Sequence, residues 1–297
     1  MAMNGIRYRG VHSREFGLVT KTKTRPAAPN ARLIQETVPY RDGNLDYSEQ
    51  GGRLFYDDKI IEIEFAAIRR NLAETNSLIS KVVKWLCGGW DDLIFDDMPL
   101  VAWRAKPVDV SSVSIELYRV GRFTVQFRCK PFNNLIYETT GVALDSDIPL
   151  DSDLPLDWGS DSIYEIPSVG EYTFTHYNIG DVCTSPKIII TGETDNGTHM
   201  IEILINGEGF TLKLPAGISL SGGQSVTIDC AECTVTKDGI DITEYLVATD
   251  TSMPVFPELE PGENVLCVNT QITGEIQLKY NAQYFFGANN TGGIENG

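Results

Sequence analysis

Little in this 297-residue chain announces catalysis. It has only three histidines, His12, His176 and His199, far apart and outside any nucleophile or zincin motif. It has no G-x-S-x-G, no P-loop and no dinucleotide fingerprint. An enzyme of this size usually shows a nucleophile with its base, a metal set or a phosphate-cradling loop, so the expectation is a non-enzyme with no cofactor. Long apolar runs are missing too. No stretch approaches 18 consecutive apolar residues, which leaves no candidate for a spanning helix. Met1 to Gly10 carries two arginines with no apolar run behind them, so no cleaved secretory signal is expected and the chain reads as made in a cytoplasm.

Positive charge is scarce in one half only. Residues 1–134 hold 20 basic and 16 acidic residues, a net of +4, whereas residues 135–297 hold 4 basic and 25 acidic, a net of -21. This asymmetry argues for two modules with different partners. The second half repels nucleic acid and anionic membrane alike, which excludes it as a nucleic-acid reader.

What is present is β pattern. Ile61, Ile63 and Phe65 alternate with Glu62 and Glu64. The period then becomes helical from Asn71, with Leu72, Ile79, Val82, Val83 and Leu86 on one stripe and Gly88-Gly89 as the stop. Alternation returns at Val113, Ile115 and Leu117, and again at Phe123, Val125, Phe127 and Cys129 before Pro131. The first module, residues 1–134, thus reads as a β-sandwich or curled sheet with one packed helix. Between 135 and 162 lies an acidic linker or long loop containing a tandem unit, Asp145-Ser146-Asp147-Ile148-Pro149-Leu150 and Asp151-Ser152-Asp153-Leu154-Pro155-Leu156. The second module, 163–297, is nearly all strand signal. Ile201, Ile203 and Ile205 lead to an Asn206-Gly207 turn, then Phe210, Leu212 and Leu214 return on the same face. Val226 and Ile228 lead toward a turn at Asp238-Gly239, and Ile276, Leu278 and Tyr280 close the pattern. A sandwich or jelly roll is the reading, with a frayed tail from Gly287 to Gly297.

Four features invite a chemical reading, and each has a plainer one. Cys230 and Cys233 form a CxxC, but a structural zinc needs four ligands and no second pair stands at ligand spacing. The remaining cysteines, 87, 129, 183 and 267, read as unligated. The Asp-Ser-Asp repeat is oxygen-rich enough for calcium yet lacks the Gly and distal Glu of an EF-hand loop, so a plain acidic linker is the plainer reading. Trp158 and Tyr164, with Tyr172 and Tyr177, stack on a glycan if exposed and build a core if buried. Carboxylate pairs such as Asp91-Asp92 and Asp96-Asp97 are expected by chance among 41 acids.

An ordered set of segments resembles siphophage distal tail proteins. It opens with Ile6-Arg7-Tyr8-Arg9-Gly10 and Ser13-Arg14-Glu15-Phe16-Gly17-Leu18, then Val38-Pro39-Tyr40-Arg41-Asp42-Gly43-Asn44-Leu45, where Tyr40 replaces a common Gly. Lys84-Trp85-Leu86, Leu93-Ile94-Phe95-Asp96-Asp97, Ala102-Trp103, Gly121-Arg122-Phe123-Thr124 and Cys129-Lys130-Pro131-Phe132 continue it. Asp229-Cys230, Asp238-Gly239 and Phe256-Pro257-Glu258-Leu259-Glu260-Pro261-Gly262-Glu263-Asn264 extend it into the second half. The resemblance implies a mainly β protein, with an extended β-hairpin on the first domain and a galectin-like C-terminal domain projecting outward. It further implies a ring, typically hexameric, at the distal end of a phage tail, with Pro39, Arg41, Asp42 and Gly43 at the subunit interface. Its implied partners are other copies of itself, the tail tube protein, the tail-associated lysin or fibre protein and receptor-binding proteins, with DNA merely passing through the lumen and no membrane contact. The alternative is a carbohydrate-binding module touching cell-wall glycans through Trp158 or Tyr164.

Overall fold

The computed structural model describes residues 5–49, 53–67, 72–110, 121–136, 163–194, 197–221, 223–248 and 255–286. The expected strand at Val113, Ile115 and Leu117, the tandem Asp-Ser-Asp repeat, Trp158 and the tail from Gly287 lie outside the described residues. The chain separates into two compact units, residues 1–136 with 284–288, and residues 137–283 with 289–297.

Unit 1 is built on one antiparallel sheet. Its strands are β1 (Ile6–Tyr8), β2 (Val11–His12), β3 (Leu18–Thr24), β6 (Lys59–Ala67), β7 (Asp91–Phe95), β8 (Met98–Asp109), β9 (Arg122–Cys129) and β10 (Asn133–Leu135). A separate ribbon, β4 (Gln35–Thr37) and β5 (Asn44–Asp46), stands off it. The main sheet runs β2-β1-β7-β8-β9-β6-β3, with β10 paired to β8 and a last short strand, Gln283–Tyr284, paired to β10. Period-2 alternation drives one set of side chains inward. Ile61, Ile63 and Phe65 from β6 and Phe123, Val125, Phe127 and Cys129 from β9 are all fully buried. Their register, Ile61 opposite Phe127 and Phe65 opposite Phe123, stacks the Phe65 and Phe123 rings at 5.0 Å.

The helix α1 (Leu72–Leu86) packs on that apolar face with part of the expected stripe, Val82 and Leu86. Among its described side chains Leu78 and Trp85 are buried beside them, and Ile79 and Val83 are only half-buried. The difference comes from Trp85. Its ring meets Tyr8, Phe16 and Phe65 at 6.2, 5.0 and 6.1 Å, and its Nε1 donates to the Tyr8 carbonyl oxygen at 2.8 Å. An indole needs both apolar contact and a hydrogen-bond acceptor when buried, and the side of the helix that carries Trp85 finds both on the sheet.

Unit 2 is a sandwich of two antiparallel sheets. In chain order its strands are β11 (Ile163–Ile166), β12 (Gly170–Asn178), β13 (Lys187–Glu193), β14 (His199–Ile205), β15 (Glu208–Leu214), β16 (Ser225–Asp229), β17 (Thr234–Lys237), β18 (Ile240–Asp241), β19 (Leu246–Ala248), β20 (Gly262–Thr270) and β21 (Thr273–Lys279). One sheet runs β11-β21-β13-β16-β17-β18 and the other β12-β20-β14-β15-β19. Asn206 and Gly207, at φ of 53° and 88°, supply the left-handed pair that a two-residue hairpin between β14 and β15 requires. Asp238 and Gly239, at 49° and 80°, do the same between β17 and β18. The alternation of Ile201, Ile203 and Ile205 faces the core together with Phe210, Leu212 and Leu214.

Candidate functional site

The ribbon β4–β5 holds the residues for which the family resemblance implies a subunit interface. Gln35, Glu36 and Thr37 pair with Asp46, Leu45 and Asn44. The connection between them holds Pro39, Arg41, Asp42 and Gly43, all exposed. Arg41 N–H donates to the Val38 carbonyl at 3.3 Å, and the backbone enters the left-handed region at Tyr40 (φ 64°) and Gly43 (φ 76°). Gly43 adopts that conformation without cost, whereas a tyrosine there is strained. The Tyr40 side chain is fully exposed.

Polar side chains stitch the ribbon. Thr37 Oγ1 donates to Asn44 Oδ1 at 3.1 Å, Asn44 Nδ2 to Gln35 Oε1 at 3.3 Å, and Gln35 Nε2 to Asp46 Oδ2 at 3.2 Å. Ser48 hydrogen bonds, first from its side chain and then from its N–H at 2.9 Å, hold the Asp46 carboxyl below the usual range, with help from Gln35. The pairing continues downward. Tyr47 N–H donates to the Ile34 carbonyl, Arg32 N–H to that of Phe55 and Asp57 N–H to that of Asn30, at 2.8, 2.7 and 2.9 Å, and Ala31 bridges Tyr56.

Along this ribbon Leu33, Ile34, Tyr40, Tyr47, Leu54 and Phe55 all stand exposed. They are six of the seventeen exposed large hydrophobics among the described residues, gathered on one short stretch of chain. A two-stranded ribbon with an open apolar surface is marginal in water by itself. Its chemistry suits a packing partner.

The ribbon's base is anchored by the last described residues of the chain. Tyr56, Phe132 and Phe285 meet pairwise edge to face, with centroids 5.4–5.6 Å apart. Lys59, although only 4% exposed, donates to the Phe285 carbonyl at 3.1 Å. Burial pulls its pKa down to about 8. Arg25 lies against the rings of Phe95, Trp103 and Phe286 at 4.8, 5.7 and 5.1 Å and forks onto Asp97 at 3.1 and 2.8 Å. Asn133 donates to the Phe286 carbonyl.

The other sequence candidates resolve into supporting roles. His12 Nε2 meets Asp96 Oδ1 at 2.9 Å, and Asp96 Oδ2 receives Arg14 at 2.7 Å and Gly5 N–H at 2.9 Å. Partial burial opposes ionisation of Asp96, but the His12 and Arg14 contacts outweigh it and hold the pKa below normal. His12 Nδ1 accepts from Arg14 N–H and caps the short 3-10 helix Ser13–Phe16, so the cluster pins the N-terminal strands. Asp91 and Asp92 flank Arg104 at 4.0 and 3.4 Å. Among the described residues no three metal-ligating side chains cluster. Asp229 Oδ1 accepts from Ala231 and Glu232 N–H, both at 3.1 Å, so the CxxC forms the turn between β16 and β17, with the buried Cys230 thiol pushed up to about 12.

The proposed glycan contact at Tyr164 meets a different environment. Its ring is buried, 4.7 Å from Phe174, and its hydroxyl lies 2.8 Å from His176 Nδ1. A ring packed in that way has no open face for a sugar. Tyr172 is tied through its hydroxyl to Ser168, and Tyr177 is exposed.

The model of the phage tail protein RIFT-related domain matches residues 12–129. That of the siphovirus-type tail component, C-terminal domain, matches residues 179–284. No curated protein matches the chain. Among solved structures, the Dit protein of phage SPP1, described as a paradigm of hub adsorption apparatus in phages infecting Gram-positive bacteria, superposes with a TM-score of 0.63 at 12% identity, over 94% of this chain and 98% of that one. At that identity the likeness speaks for the fold, and the two family models in their order speak for the family. The chain belongs to the siphophage distal tail protein family, structural components of the phage tail.

Proposed function

We propose that the protein assembles into a closed ring of identical subunits, six by the family resemblance, at the distal end of a siphophage tail. The ribbon built on β4 and β5 grips the adjacent subunit in this reading, with Pro39, Arg41, Asp42 and Gly43 at its tip. A cyclic contact joins two different patches of each subunit, and the ribbon supplies one of them. The observation that carries this is the exposed apolar ribbon itself, whose strands pair with each other and not with the main sheet. The ring would join the tail tube protein to the lysin or fibre protein and seat receptor-binding proteins, with DNA passing through its lumen. Assembly takes place in the host cytoplasm before the virion forms.

Native mass spectrometry of the purified full chain is the test. The expected result is a closed oligomer at tens of micromolar, dispersed to monomer by joint Leu33→Ser, Tyr40→Ser and Tyr47→Ser substitution with the thermal unfolding profile retained. A folded wild-type monomer, or a ring indifferent to those three changes, overturns the reading.

A further inference from the structure

Unit 1 is discontinuous in sequence. Residues 1–136 are joined by residues 284–288, which the ribosome delivers only after the whole of residues 137–283. Four separate features of unit 1 depend on that late segment. Phe285 completes the aromatic triad with Tyr56 and Phe132, and its carbonyl receives the buried Lys59 amine. The Phe286 ring covers the Arg25 guanidinium, and its carbonyl receives Asn133. Tyr284 itself is buried, 3% exposed, in the strand that extends β10.

Tyr56 makes the segment more than a piece of core. Its backbone bridges Ala31, and Asp57 next to it bonds Asn30, so Tyr56 sits where the ribbon leaves the sheet. The ring packed on Tyr56 from the C-terminal side is therefore a support for the ribbon's root.

We infer that Tyr284–Phe286 acts as a C-terminal clasp that locks the base of the exposed ribbon, making self-assembly conditional on a complete, folded chain. The second half of this statement rests on the ring reading above; the first does not. Without the clasp, Lys59 and Asn133 lose their acceptors, Arg25 loses a ring face, and Tyr56 loses one of two aromatic neighbours. The local consequence is a ribbon root that opens more often while the sheet persists, because the strand ladders β6–β9 and β8–β9 do not involve residues 284–286. A nascent chain that has not reached Phe285 carries a loose ribbon and is not ready to engage a neighbour.

The test compares the full-length wild type with Phe285→Ala and the milder Phe285→Leu. Three measurements are made: hydrogen exchange, acylation of the Lys59 amine by an N-hydroxysuccinimide ester, and native mass spectrometry. The clasp predicts exchange about tenfold faster at residues 30–34 and 53–57 in Phe285→Ala, with residues 61–66 and 123–128 unchanged. It predicts Lys59 acylated in that variant and protected in the wild type, with Phe285→Leu intermediate, and a fall in oligomer. Unchanged exchange at the ribbon root, or acceleration spread evenly over residues 61–66 and 123–128, overturns the clasp. Should Phe285→Ala fail to fold, Phe285→Leu is judged by the same pattern. A wild type that is monomeric yet shows the local exchange pattern sinks the ring reading and leaves the clasp standing. A ring that persists with an opened root refutes the coupling to assembly.

Discussion

The Trp85 indole donates to the Tyr8 carbonyl at 2.8 Å, and the two rings meet edge to face at 6.2 Å. One residue of the helix is thereby tied to the first strand of the chain, and the Tyr8 hydroxyl reaches past it to the Gly89 carbonyl, just after the helix, at 2.8 Å. The helix is held at its C-terminal end by residues seventy-seven positions away.

That relationship makes the face of the helix testable. Leu78→Ala removes a buried side chain and is expected to cost about 2–4 kcal/mol, while Ile79→Ala, half-buried, costs about 1 kcal/mol. Trp85→Phe keeps a ring but leaves the Tyr8 carbonyl without its donor, for about 1 kcal/mol. Denaturant unfolding of the three variants ranks them. Equal costs at Leu78 and Ile79 contradict the assigned face.

Lys59 predicts a pH effect. Its folded pKa lies at about 8, against an ordinary 10.5, so between those values the unfolded chain binds more protons than the folded one. Stability therefore rises as pH increases from about 8. Above about 9 the buried thiols of Cys129 and Cys230, both pushed up to about 12, act in the opposite sense, because the unfolded chain then loses protons that the folded one keeps. Between pH 8 and 9 the Lys59 contribution is expected to be at most about 1 kcal/mol. Lys59→Met abolishes the rise, and chemical denaturation at pH 7.5, 8.5 and 9 reads it. A wild type and variant with parallel profiles disprove the assignment.

In unit 2 the buried Asn264 organises a turn. Its amide donates to the Glu260 and Gly262 carbonyls at 2.8 and 3.0 Å, and its Oδ1 accepts from Glu260 N–H at 2.8 Å and Asn206 Nδ2 at 2.9 Å. Asn264→Ala is expected to cost about 2–4 kcal/mol, since buried partners are left unmatched. Asn264→Asp is expected to cost at least as much at neutral pH, because a carboxylate then faces two carbonyls. Hydrogen exchange should quicken at residues 259–266 and leave unit 1 as it was; a change confined to unit 1 rules this role out.

Much of the strand content was readable directly. Side chains at Ile61, Ile63 and Phe65, or at Phe123, Val125 and Phe127, reveal a strand because period-2 geometry is a local property of the backbone. The turns at Asn206-Gly207 and Asp238-Gly239 were readable for the same reason, a local demand for positive φ. Of the expected stripe of α1, Val82 and Leu86 are buried and Ile79 and Val83 only half-buried, because the orientation of the helix also depends on the Tyr8 acceptor for Trp85. Lys59 carries a signal of its own in the sequence. It occupies an inward position in the same alternation as Ile61 and Ile63, and an inward lysine asks for a buried acceptor.

The amino-acid pattern alone determined that this is a β-rich chain of two unlike halves, one near neutral and one strongly anionic, because charge and period are properties of neighbours in sequence. The aromatic hairpin root, the buried lysine and the return of Phe285 to Tyr56 were decided only in three dimensions. Each joins residues far apart along the chain, and no local pattern encodes which distant ring or carbonyl a side chain will meet.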